Sequence, residues 1–136
     1  MPFNTKLRVR YAETDQMGVV YHSNYLVFFE IGRTEAMRRI GITYADLEKR
    51  GYVLAVTETG CKHRASARYD DELVVRTWLR EVTKTRLRFE YEVLKEDRVL
   101  TTGFTVLAFL DRANDMRPIR CPEDVERLAK PAVEPS

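Results

Sequence analysis

Residues 86–94, Arg-Leu-Arg-Phe-Glu-Tyr-Glu-Val-Leu, alternate charged and apolar side chains almost without a break. Successive side chains of an extended strand point to opposite faces. Leu87, Phe89, Tyr91 and Val93 therefore share one face, and Arg86, Arg88, Glu90 and Glu92 the other. Such a strand belongs to a sheet with one dry face and one wet face. The dry face needs a cover, and the rest of the chain must supply it.

The cover is read in residues 25–40. Phe29, Gly32, Ala36, Met37 and Ile40 recur at helical spacing, Ser23 or Asn24 serves as N-cap, and Gly41 closes the helix. Its first turns are apolar nearly all round, which predicts a central, buried helix. Gly32 costs about 1 kcal/mol inside a helix relative to alanine, which implies close approach to a sheet or a partner helix. Thr43 is expected to cap a shorter helix over Tyr44–Arg50.

The remaining segments read as strands. Lys6–Tyr11 is a half-buried strand, and Val53 to about Ala65 a strand bulged at Gly60. After a turn at Tyr69–Glu72 come Leu73–Arg80, Arg86–Leu94, a hairpin turn at Lys95–Arg98, and Val99–Leu110 with a bend at Gly103. Pro118 and Pro122 are expected to break the sheet, with Pro122 as first residue of a terminal helix through Leu128. A strand, a long helix and a run of antiparallel strands make an α+β protein. One domain over residues 1–130 is expected, followed by a frayed tail over 131–136.

Composition narrows the functions. The 23 basic and 21 acidic residues are interspersed, giving a net charge of +2 with no basic stripe, which argues against nucleic acid. No segment has the length or apolarity of a membrane span or a leader. Cys61 and Cys121 have no ligand spacing and read as reduced thiols, the pattern of a cytoplasmic protein. Asp15, His22, Glu30 and His63 are too scattered for a metal set, and no phosphate-cradling or serine-nucleophile motif occurs. No metal or cofactor is expected.

The chemistry concentrates in Arg10-Tyr-Ala-Glu-Thr-Asp15-Gln-Met-Gly18-Val-Val-Tyr-His22-Ser-Asn24-Tyr25. Asp15 stands in a loop just ahead of a helix start, where unpaired N–H groups and the positive end of a dipole gather. Taken alone, it reads as a turn residue. Beside a donor cluster, it reads as an acid facing a carbonyl carbon whose oxygen the donors hold. Gly18 suits a positive-φ turn with room for a ligand, and its N–H is a further candidate donor. Asn24 reads as the cap. Tyr25 either packs in the core, lines a pocket or bonds Asp15. Glu30, among Phe28, Phe29 and Ile31, is the rival acid, with Arg33 or a partner chain as its expected counter-charge.

The run Thr14–Tyr25 resembles the active-site segment of the 4-hydroxybenzoyl-CoA thioesterase-like group of hotdog-fold acyl-CoA thioesterases. Ala67–Leu73 is a second, weaker match. The resemblance implies a sheet wrapped around one helix, a homodimer or homotetramer, and hydrolysis of acyl-CoA, with acyl carrier protein as the other possible carrier. It places the catalytic carboxylate at Asp15, as nucleophile or general base, and the oxyanion donor at the His22 backbone. Gly18, Tyr21, Asn24 and Tyr25 would line the substrate. Lys84, on a hairpin, would meet the coenzyme A phosphates. Two other readings stand beside it: a hotdog dehydratase or hydratase, and an acyl-thioester-binding module without turnover.

Overall fold

The computed structural model describes residues 2–136. Its elements are β1 (Phe3–Arg8), α1 (Asn24–Ile40), α2 (Tyr44–Lys49), β2 (Tyr52–His63), β3 (Glu72–Val82), β4 (Arg86–Lys95), β5 (Arg98–Asp111), β6 (Arg117–Pro118) and α3 (Glu123–Ala129). The strands form one antiparallel sheet in the order β1-β3-β4-β5-β2, with β6 added to β5. β3, β4 and β5 form a meander. The alternation of β4 is realised as expected: Leu87, Phe89, Tyr91 and Val93 are buried, and the charged set lies on the outer face.

On that outer face the charges pair, Arg80 with Glu90 and Arg76 with Glu92 across β3 and β4, and Arg88 with Glu90 along β4. Such half-exposed pairs are worth only about 0–1 kcal/mol each. The inner face is covered by α1, which packs on β1, β3 and β4. Phe28, Phe29, Ala36 and Met37 point into the sheet, and the Phe29 ring stacks on Tyr91 with centroids 4.4 Å apart. Each large side chain buried there contributes about 2 kcal/mol. A methyl group on Gly32 would sit 2.6 Å from both Thr77 Oγ1 and Val75 Cγ1. The glycine therefore serves approach to the sheet. This is the hotdog arrangement, an α+β sheet curled around one long helix.

Several local expectations are corrected. β1 runs from Phe3 to Arg8, because its partners in β3 are Thr77 back to Glu72. The irregularity in β2 falls between Val56 and Glu58; Gly60 instead faces the ring of Phe104, which fills the space a side chain would take. Pro118 does not break the sheet: it pairs with Leu110 in a two-residue edge strand, where its missing N–H is tolerated. Pro122 is the cap of α3 and lies outside the helix. α1 is not buried all round, since only one side meets the sheet; Leu26, Val27 and Ile31 are exposed.

The tail also differs from expectation. The Glu134 N–H donates to Leu79 O at 2.9 Å, and Arg80 Nη1 donates to Glu134 O at 2.8 Å. Val133 packs against the core. β1 pairs with β3 only as far as Thr77, and the tail takes up the same edge two residues beyond.

Candidate active site

After β1 the chain makes a short 3-10 turn, Tyr11–Glu13, and returns on itself. Thr14 pairs with Val20, and the Asp15 N–H donates to Val19 O. The buried Glu13 clamps this small ladder. Its carboxylate accepts from the Arg10 N–H at 2.7 Å and pairs with the Arg10 guanidinium at 3.2 Å. Its carbonyl accepts from the Tyr21 N–H and from Asn24 Nδ2, both at 2.9 Å. Asn24 therefore ties the helix to the loop and does not cap it, and Ser23 is itself helical with no side-chain cap bond. The Glu13 role went unread in the sequence, although Arg10 and Glu13 have the spacing of a capping box.

Asp15 sits at the tip of this ladder, half-buried. Its Oδ1 accepts from the Met17 N–H at 2.9 Å, an Asx-turn, and its carbonyl accepts from the Gly18 N–H. Oδ2 makes no hydrogen bond or ion pair among the described residues. Gly18 has φ +80°, as a turn of this kind requires, but its N–H is already engaged and is not a spare donor. Arg68, bridged through its backbone to Val19, lies beside Gly18: its Nη1 is 3.7 Å from where a side-chain carbon would stand.

At the helix start, Asn24, Tyr25 and Leu26 donate to the carbonyls of Tyr21, His22 and Ser23. The donors left without an acceptor among the described residues are the N–H groups of His22 and Ser23. His22 is exposed, and its ring lies against Tyr21 with centroids 4.5 Å apart. Tyr25 is buried, and its hydroxyl accepts from the Ala67 N–H at 3.4 Å; it does not reach Asp15 by a hydrogen bond. Burial holds that hydroxyl above its ordinary pKa, against the Ala67 bond. Ala67 in turn accepts from the Val20 N–H, so the Ala67–Leu73 turn and the Asp15 ladder support one another.

Two predicted site residues lie elsewhere. Glu30 is exposed six residues into α1, about 9 Å along the axis from its start. It forms no ion pair with Arg33, contrary to expectation, because Arg33 turns inward and donates from Nε to Tyr44 Oη at 3.2 Å. Burial alone would push the Arg33 pKa down, but the neighbouring Tyr91 and Tyr44 hydroxyls outweigh it. Glu30, Arg33 and Tyr44 line a groove of about 350 Å3 between α1, α2 and β2. Lys84 lies in the β3–β4 turn, at the other end of β3 from the Asp15 loop. The strand between them spans roughly 30 Å. One chain therefore does not bring Lys84 to Asp15. Hollows of about 540 and 570 Å3 open beside Trp78 and Phe104 and beside Asp70–Glu72, away from Asp15.

A family model described as the thioesterase-like superfamily matches residues 9–128. The acyl-CoA thioesterase YbgC of Haemophilus influenzae is 33% identical over 125 residues, 91% of each chain. The putative acyl-CoA thioesterase YneP of Bacillus subtilis is 39% identical over 88 residues, which span 65% of this chain and 64% of that protein. The structure of the DHNA-CoA thioesterase from Staphylococcus aureus superposes with a TM-score of 0.91 at 33% identity, covering 96% of this chain and 89% of the other. No helix among the described residues is long and apolar enough to cross a membrane.

Proposed function

The chain belongs to the thioesterase-like superfamily and is a thioester hydrolase, and from that premise we propose that it cleaves acyl-CoA to the free acid and coenzyme A through Asp15. The observation that carries the role of Asp15 is its half-tethered carboxylate. Oδ1 is held by the Met17 N–H, while Oδ2 is uncommitted on the same short ladder that leads to the unpaired His22 and Ser23 N–H groups. Oδ2 attacks the thioester carbon and expels the thiolate, giving a mixed anhydride that water then hydrolyses to the free acid, or it takes a proton from a water that attacks that carbon. The His22 N–H, with that of Ser23 beside it, receives the charge that develops on the carbonyl oxygen. One such donor is typically worth about 3 kcal/mol in the transition state. The thiolate leaves without a general acid.

The acyl group lies along the free side of α1, where Leu26, Val27 and Ile31 are exposed and Glu30 stands at the far end. A second copy of the chain covers that side. The separation of Lys84 from Asp15 supports this: the phosphate-binding lysine of one site belongs to another copy, in a homodimer or homotetramer of the cytoplasm.

Thiol release from short, long and aromatic acyl-CoAs, for wild type and Asp15→Asn, tests the reading. Asparagine keeps an oxygen for the Met17 N–H, so the fold is retained while turnover falls by about a thousandfold. Undiminished turnover in the variant removes Asp15 from the chemistry and moves the test to Glu30→Gln. No turnover by the wild type, with acyl-CoA bound, leaves a binding module.

A further inference from the structure

A second reactive group lies on the inner face of β2. Cys61 and His63 are two residues apart, so their side chains point to the same side of the strand. Cys61 Sγ is 3.4 Å from His63 Nε2. The other ring nitrogen, Nδ1, is 3.1 Å from Oγ1 of the buried Thr101, the residue that faces His63 in β5. With the ring proton on Nδ1 and donated to Thr101, Nε2 offers its lone pair to the thiol. A nucleophile within reach of a base, and a base oriented by a third group, is the arrangement that activates a weak nucleophile.

The location matters as much as the pairing. The His63 ring lies 5.0 Å, centroid to centroid, from Tyr25 in the first turn of α1. Tyr25 also supports the Ala67 turn behind the Asp15 ladder, so the pair borders the proposed thioester site. His63 is exposed and Cys61 half-buried, which leaves an approach. Cys121 supplies an internal contrast. It is buried, its Sγ rests on Pro122 O at 3.4 Å, and it has no histidine. Burial, with Glu126 and Asp124 adding to it, pushes that thiol up to about 11. Burial pushes the Cys61 thiol up as well, so its reactivity depends on handing the proton to His63.

We propose that Cys61 accepts the acyl group of a thioester, giving the protein a thioester-exchange activity beside hydrolysis. Sγ bonds to the carbonyl carbon as its proton passes to His63 Nε2. The bond from that carbon to the carrier sulfur breaks, and the departing thiolate takes the proton from His63. S-acyl-Cys61 and a free carrier thiol result. One thioester replaces another, so the step needs no oxidant and no activated co-reactant. A second thiol reverses the sequence and carries the acyl group away. The substrate class rests on the thioesterase reading above.

The test uses S-acetyl-N-acetylcysteamine, a thioester without a nucleotide, on the Asp15→Asn chain, followed by digestion and mass mapping. One acetyl group is expected on Cys61 and none on Cys121, removable by neutral hydroxylamine. His63→Asn should slow its arrival by about a hundredfold. Acetylation of Cys61 no faster than that of free N-acetylcysteine, or unaffected by His63→Asn, overturns the proposal. Exchange of the acyl group from acyl-CoA onto added N-acetylcysteamine should vanish in Cys61→Ala. Wild-type hydrolysis without any label on Cys61 removes this inference and leaves the hydrolase standing. Label on Cys61 in a chain that hydrolyses no acyl-CoA does the reverse.

Discussion

The two edges of the sheet are finished differently. On one side β1 is short, Arg39 Nη2 from α1 donates to Asn4 O at 2.8 Å, and the tail continues the pairing of β3 at Leu79. On the other side β2 runs for 12 residues, from Tyr52 to His63, with Val56, Thr57, Glu58 and Thr59 exposed and no strand beyond it among the described residues. Proteins seldom leave a long strand edge open, because its free N–H and C=O groups invite another chain. The closed edge is completed by the chain itself. The open edge, next to the exposed side of α1, is where a second copy is expected to add.

The comparison is easiest to break at Val56. It is 49% exposed, so in a lone chain Val56→Arg changes stability by no more than about 0.5 kcal/mol. If the open edge is an interface, the variant falls to single-chain mass by light scattering and loses nearly all turnover. An unchanged mass would assign the interface to another surface. A smaller effect is expected on the closed side, at Gly32. Alanine there meets Thr77 and Val75 and should cost about 1–3 kcal/mol in urea unfolding, with association intact. Deleting residues 133–136 should have the mildest effect. It removes the Glu134 hydrogen bonds to Leu79 and Arg80, the Val133 N–H bond to Lys130 O and the Val133 contact, costs about 1–2 kcal/mol, and makes the chain prone to aggregate through the uncovered end of β3. A tail deletion that leaves the unfolding midpoint unmoved would show that the edge is not held by this strap.

How well each part could be read beforehand follows from how local its causes are. The span of α1, the cap of α2 by Thr43, and the two faces of β4 depend on neighbours a few residues away, and the sequence contains them. The Thr43 hydroxyl does accept from the Asp46 N–H, as the spacing implies. The docked tail, the pairing of Pro118 and the bulge near Thr57 depend on partners far along the chain, which periodicity does not report. At the candidate site, Asp15, Gly18 and the helix start were legible as a motif. The clamp by Glu13, the inward turn of Arg33 and the closeness of His63 to Tyr25 were not. Each of those arises only when separate elements pack together. Lys84 marks a further limit, since a residue carried over from a family pattern need not serve the site in its own chain.

The strand order also has a consequence in time. β3, β4 and β5 follow one another through short turns, whereas Arg8 meets Asp70 across 62 positions and Thr59 meets Phe104 across 45. Closing long loops costs more chain entropy than closing short ones, so the meander is the first part able to hold together. β1, the Asp15 ladder and β2 join a sheet already begun. In hydrogen exchange, the amides of β4 should accordingly outlast those of Val20 and Tyr21. The molecule assembles its chemistry last and, on warming, gives it up first.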